Sequence, residues 1–255
     1  MYRYVITLLA GWLLHCSFDF PNEKKYLAQQ VANIELLDAA GNKMPLYSLL
    51  NNKPLIISPV YTKCKSMCGL ISSGVHKAIL NLGTLGKDFN LISFSFDSSD
   101  HTEDLAFYQN RWKMDGRHWK TVTAGAPDIR TLMQSVGFEY DYDSVTREYN
   151  HPSMLIVLTP SGKVSRYIYG LNPNGKDIEL AVMEAMAEQT RPGIVKGFYL
   201  RCFGYNPVTK TYQLDWRFII STGAGLIIIA LVSTIFIKSF IISKHSHEQE
   251  GIRNG

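Results

Sequence analysis

An α/β domain with a mixed sheet, followed by a membrane-spanning helix, is the architecture this 255-residue sequence predicts. Three observations predict it. Uncharged runs at Pro54–Val60, Phe89–Phe96 and Met154–Thr159 have strand character and alternate with stretches of helical pattern. A turn at Pro160-Ser-Gly162 then joins two adjacent strands, so hairpin pairing follows strand–helix alternation and the sheet is mixed. Near the C-terminus, Phe218–Ile237 is continuous, uncharged and long enough to span a bilayer as a helix.

The elements follow in order. Arg3 leads into the apolar run Tyr4–Leu14, too short to span a bilayer, and residues 1–17 read as a secretory signal. Cys16 raises lipidation as an alternative, although His15 stands where such sites want a small residue. The main domain is assigned to residues 18–196. Val31–Leu37 has strand character and Ala40-Gly-Asn42 marks a turn. Lys43–Leu50 leads into the strand Pro54–Val60. A helix spans Gly69–Leu82, and Phe89–Phe96 reads as a buried strand. Asp100 is the expected N-cap of a helix through Trp112, with Glu103 and Asp104 in its first turn. Pro127 opens a short helix to Val136. Glu139–Asn150 is polar and turn-rich, hence a loop. It delivers His151 to the strand Met154–Thr159, and Lys163–Tyr169 returns. The domain ends in a helix over Asp177–Glu188. Residues 197–216 form an aromatic, Cys-containing linker. Residues 217–238 form the membrane helix, with Trp216, Arg217 and Lys238 as interfacial anchors. An export signal places the domain outside the cytoplasm and the tail, 239–255, inside.

Composition narrows the function. A formal charge of +4 is small and spread out, with no basic stripe interleaved with aromatics, which argues against nucleic-acid binding. The chain has four cysteines, and losing Cys16 with the signal leaves an odd number, which asks for a functional explanation.

Cys64 and Cys68, in Tyr61-Thr-Lys-Cys-Lys-Ser-Met-Cys-Gly69, are the leading chemical candidates. Four residues apart on a helix, they would share one face with Cβ atoms roughly 5–6 Å apart. A disulfide wants about 3.8 Å, so bridging would need some unwinding, whereas two thiolates converge readily on a soft metal. A helix N-terminus, Lys63 and Lys65 would lower the thiol pKa. The pair could hold a metal, shuttle electrons or only fill the core. His151 is a candidate third ligand. Asp97, at the end of the second long strand, could orient the site or simply cap that strand. Cys202, in aromatic company before the membrane helix, is a candidate accessory ligand. Met67 and His76 read as structural.

Three pieces, Tyr61-Thr-Lys-Cys-Lys-Ser-Met-Cys68, Ser93-Phe-Ser-Phe-Asp97 and Tyr149-Asn-His151 with Leu155–Gly162, resemble the Sco/SenC family. The resemblance covers roughly Val31–Glu188. It implies a thioredoxin-like fold and a membrane-tethered copper protein that helps assemble the binuclear copper site of cytochrome c oxidase. It places the copper ligands on Cys64, Cys68 and His151, and the family's acidic residue on Asp97. Two thiolates and an imidazole suit Cu(I) and also hold Cu(II). The implied partners are the oxidase's copper-bearing subunit or another copper protein, together with the lipid bilayer. The sequence departs from the family pattern at Gly69, where proline is usual, at Pro152 after the histidine, and in its C-terminal anchor. In thioredoxin-like folds a cis-proline before a strand faces the cysteine motif, and the run from Pro152 is similar to that pattern, although most X-Pro bonds are trans and the sequence leaves both isomers open. On this reading the protein is a carrier with no turnover chemistry and no catalytic residue. The alternative is a thiol–disulfide oxidoreductase using Cys64 and Cys68 as its redox pair, although the three-residue spacer disfavours it. A peroxidase would need an arginine partner beside Thr62 and the cysteine, and none is evident.

Overall fold

The structure is a computed structural model that describes residues 21–64, 67–187, 203–206, 209, 211–214, 216 and 219–235. The expected signal (1–17), Cys16, Lys65, Cys202 and the tail lie outside the described residues. Two compact units are present. One is Met1–Gly193 with Pro207–Thr211, and the other is Ile194–Asn206 with Tyr212–Gly255.

The first unit opens with a one-turn helix, α1 (Glu23–Tyr26). It continues through β1 (Glu35–Asp38), β2 (Lys43–Pro45), a 3-10 turn (Leu46–Leu49) and β3 (Leu55–Val60). Then come α2 (Met67–Leu82), β4 (Asn90–Ser95), α3 (Thr102–Arg111), β5 (Trp119–Thr123) and α4 (Ala126–Ser135). A small hairpin of β6 (Asp141–Asp143) and β7 (Glu148–Asn150) precedes β8 (Met154–Leu158), β9 (Val164–Tyr169) and α5 (Gly175–Ala187). Seven strands form one sheet in the order β2-β1-β5-β4-β3-β8-β9. β3, β4 and β5 run parallel to their neighbours among themselves, while β8 is antiparallel to β3 and β9 to β8. A β3–α2–β4 unit thus meets a β8–β9–α5 unit, in the thioredoxin-like arrangement that the resemblance implies.

Burial explains the order. Every residue of β3 and β8 is buried, as strands covered on both faces should be. α2 lies against α5, α5 against β8 and β9, and α3 against β5 and β1. Fully buried side chains such as Leu55, Ile57, Ile156 and Leu158 each contribute about 1.5–3 kcal/mol by leaving water.

Three expectations are corrected, and the isomer at Pro152 is now defined. β5 was not anticipated, and β6–β7 stands where a loop was expected. The helix expected from Asp100 begins at Thr102 and is capped by His101, whose side chain and that of Asp104 exchange bonds with the backbone. The His151–Pro152 bond is trans, as are all the described peptide bonds.

In the second unit, β10 (Phe203–Asn206) and β11 (Thr211–Leu214) form a two-stranded sheet within the expected linker. Residues 219–235 are helical. Their large apolar side chains, Ile220, Leu226, Ile228 and Leu231 among them, are exposed. Among the described residues no helix is long and apolar enough to cross a membrane. Positions 218, 236 and 237 of the expected span lie outside the described residues.

Candidate metal centre

The site forms where the end of β3 meets the start of α2, and where the segment entering β8 passes beside both. β8 pairs directly with β3, Leu55 opposite Leu158 and Ile57 opposite Ile156, so the residues just before β8 lie near the residues just after β3. That register brings His151 to the cysteines, 83 positions from Cys68.

The two sulfurs occupy different settings. Cys64 does not lie on the helix as the spacing suggested. It lies in the loop before α2, its N–H donating to Tyr61 O at 3.3 Å. Cys68 is in the first turn, and its N–H donates to Cys64 Sγ at 3.3 Å. Cys64 is half-buried, whereas Cys68 is 1% exposed; both are present as thiols. The Cys68 thiol is pushed up, first by its hydrogen bond with Cys64 and then by burial, contrary to the lowered pKa expected there. Lys63 does not offset this, because its ammonium turns to Asp100 and Asp104, 3.5 Å from each.

His151 sits among Tyr61, Phe96 and Phe138, with ring centroids 6.0, 5.2 and 5.9 Å away. Burial in this apolar cage lowers its pKa and keeps the imidazole neutral. Its Nδ1 is 3.1 Å from Pro152 O, and a carbonyl only accepts, so Nδ1 carries the proton. The lone pair then lies on Nε2, which is 3.9 Å from Cys68 Sγ. A metal shared at about 2.3 Å from sulfur and 2.0–2.1 Å from nitrogen would set those atoms about 3.5–3.8 Å apart in tetrahedral or trigonal geometry. The Cys68–His151 pair thus lies slightly wider than that separation. Among the described residues no group of three or more His, Cys, Asp or Glu side chains is already gathered closely enough to hold one.

Asp97 does not reach the histidine. Its Oδ1 accepts from Ser99 N at 2.9 Å. It also bonds the phenol of Tyr149, whose pKa is pushed up to about 12 by burial first and then by the Asp97 charge and hydrogen bond. The Tyr149 ring meets Tyr61 edge-on at 5.1 Å, so Asp97 touches the site through two aromatic rings. Tyr61 in turn bonds Cys64; burial first and this bond second push its phenol up.

Asp100, expected as a helix cap, proves to be the anchor of the cysteine loop. Its carboxylate is buried and accepts from Thr62 N at 2.8 Å, Thr62 Oγ1 at 2.7 Å and Ser95 Oγ at 2.6 Å. These bonds tie the residues leading to Cys64 onto the end of β4. No local sequence signal marks this role, because the threonine it holds lies 38 positions earlier. At Gly69 a Cβ would lie 3.4 Å from Trp112 Cζ2, at van der Waals contact with the indole.

Residues 23–187 match the SCO1/SenC family model. None of the curated proteins matches the chain. Among solved structures, a protein of Aquifex aeolicus VF5 assigned to electron transfer is 36% identical, with a TM-score of 0.61 over 65% of this chain and 97% of that one. BsSco, described as a member of the Sco family of cytochrome c oxidase assembly proteins with a disulfide switch, is 20% identical at a TM-score of 0.55, over 67% and 98%. Arabidopsis thaliana ScoI with copper bound is 16% identical at a TM-score of 0.52, over 62% and 98%. The last two are similar in fold.

Proposed function

Because the chain belongs to the SCO1/SenC family, we propose that it is a membrane-anchored copper carrier that serves assembly of cytochrome c oxidase outside the cytoplasm. Copper is its cargo, held by Cys64, Cys68 and His151. The observation that carries this reading is the tautomer of His151: Pro152 O takes the Nδ1 proton, and the Nε2 lone pair faces Cys68 Sγ at 3.9 Å. A second-sphere acceptor that fixes the ring in this way is what metal-binding histidines use. Two thiolates and an imidazole suit Cu(I), and both thiol protons must leave on binding. The copper bound by Arabidopsis ScoI and the oxidase role of BsSco's family support the same cargo. Anchoring is supported by the exposed apolar side chains of residues 219–235, which water would disfavour and lipid would not.

The experiment is a copper titration of the reduced full chain in detergent. We expect one copper per chain, lost in both Cys64→Ser and His151→Ala. Tight binding that survives the histidine change would sink the three-donor site.

One observation favours a second reading. A half-buried Cys64 beside a buried Cys68 resembles an attacking thiol with a resolving partner. In that reaction a partner disulfide takes two electrons and two protons, and a Cys64–Cys68 bridge forms. Reduction of a model disulfide by the metal-free chain at the rate of a dedicated thiol reductase would favour it. The raised Cys68 thiol argues the other way, because a resolving sulfur attacks as the thiolate.

A further inference from the structure

Cys64 is half-buried and faces open space beside the site. Two adjoining hollows, about 470 and 300 Å³, share Thr62, Cys64 and Arg111 as walls. Of the other two donors, Cys68 is only 1% exposed, and His151 is half-buried against Tyr61, Phe96 and Phe138. The hollows beside Cys64 thus give an incoming ligand a direct approach to that sulfur.

The rim of those hollows is unusual for a free surface. Leu70, two residues into α2 from Cys68, is 57% exposed, and Phe107 on α3 is 67% exposed. Large apolar side chains grouped beside a reactive sulfur mark contact surfaces more often than solvent-facing ones. Phe107 and Arg111 are one helical turn apart and share a face of α3. The Arg111 guanidinium lies over the Trp112 ring at 5.5 Å, and among the described residues no carboxylate pairs with it. The neighbouring charges are spoken for, since Lys63 joins Asp100 and Asp104. The rim thus combines two apolar anchors with one uncompensated cation.

The geometry points to the Leu70–Phe107–Arg111 rim as the docking face for the protein that receives the metal. That partner presents an apolar side chain to Leu70 and Phe107 and a carboxylate to Arg111, with its own soft copper ligands entering beside Cys64. Cys64 is then the first sulfur to be replaced, while the buried Cys68 releases after it. This rests on the copper reading above.

The test measures copper transfer from the copper-loaded full chain in detergent to the soluble copper-bearing domain of a cytochrome c oxidase subunit. Phe107→Ser and Arg111→Glu are compared with wild type, and Leu80→Ser, also exposed on α2, serves as the control. The expected result is transfer slowed at least tenfold in the two rim variants, with copper stoichiometry and absorption spectrum unchanged and the control at the wild-type rate. Raising ionic strength should slow the wild type and speed Arg111→Glu, whose new carboxylate repels that of the partner. Rim variants that bind and transfer copper like wild type would overturn the docking face and leave the copper site standing. A wild-type dimer that Phe107→Ser disperses would give the face to a second copy and overturn the proposal as well. A wild-type chain that binds no copper would overturn the metal reading and this inference with it.

Discussion

His151 and Asp100 show how differently two residues can be legible. The histidine was found from its place after a polar stretch and before a buried strand, together with a family resemblance. Its tautomer was not legible, because Pro152 O becomes an acceptor only once the chain turns back on itself. Asp100 was visible as a residue and misread in role. A carboxylate just before a helical pattern looks like a cap, and nothing local says that Thr62, 38 positions earlier, needs its oxygens. Replacing Asp100 by Ala leaves the Thr62 N–H, the Thr62 hydroxyl and the Ser95 hydroxyl without this acceptor. We expect a loss of roughly 2–4 kcal/mol, read from urea denaturation, and faster alkylation of Cys64 as its loop loosens. His151 makes a prediction about acid. Burial lowers its pKa beneath the ordinary value of about 6.5, so between the two values the unfolded chain binds more protons. The metal-free protein should hold this contribution fully above about pH 6.5 and lose it as pH falls through the lowered pKa. In His151→Phe, which suits the aromatic cage, that part of the stability–pH curve should flatten. An unchanged curve would remove the histidine as its cause.

At the scale of elements, the long apolar strands and the cysteine-bearing helix could be read because burial on both faces writes a continuous apolar run. β5 was missed for the opposite reason. Trp-Lys-Thr-Val-Thr is half polar, and its buried threonines are satisfied only in three dimensions, Thr123 Oγ1 by Ser95 O at 3.0 Å and Thr121 Oγ1 by Met114 Sδ at 3.1 Å. β6 and β7 carry only three residues each, mostly exposed, and read as loop. The contact between α2 and α3 is also a three-dimensional fact. The hydroxyls of Ser72 and Tyr108 are 2.7 Å apart in the interior, and Tyr108 also donates to Cys68 O at 3.4 Å. This bond links the helix that begins at the site to the helix that carries Phe107. Tyr108→Phe should cost about 1 kcal/mol by urea denaturation and leave copper stoichiometry at one. A larger loss accompanied by loss of copper would mean that the phenol shapes the site directly.

For the molecule as a whole, the fold class was legible because strand–helix alternation followed by a hairpin admits few sheets. The far edge of that sheet was less so: Val31–Leu37 resolves into a four-residue β1 that pairs with β5, a partner the sequence did not announce. The membrane expectation belongs to this scale and has a direct check. The full chain should resist alkaline carbonate extraction from membranes, and a chain ending at Trp216 should be released. Release of both would end the anchoring proposal.

The strand order has one more consequence, and it concerns time. β8 lies between β3 and β9, so the cysteines wait for a histidine made 83 residues after Cys68. A chain emerging from the ribosome or from an export channel amino-end first presents two thiols long before it presents the imidazole. Even then, His151 is held in place only when β8 has paired with β3 and β9 has closed the edge. The proposed site is thus complete only late in the life of each chain, and cargo held by all three proposed donors would certify that the domain has finished folding.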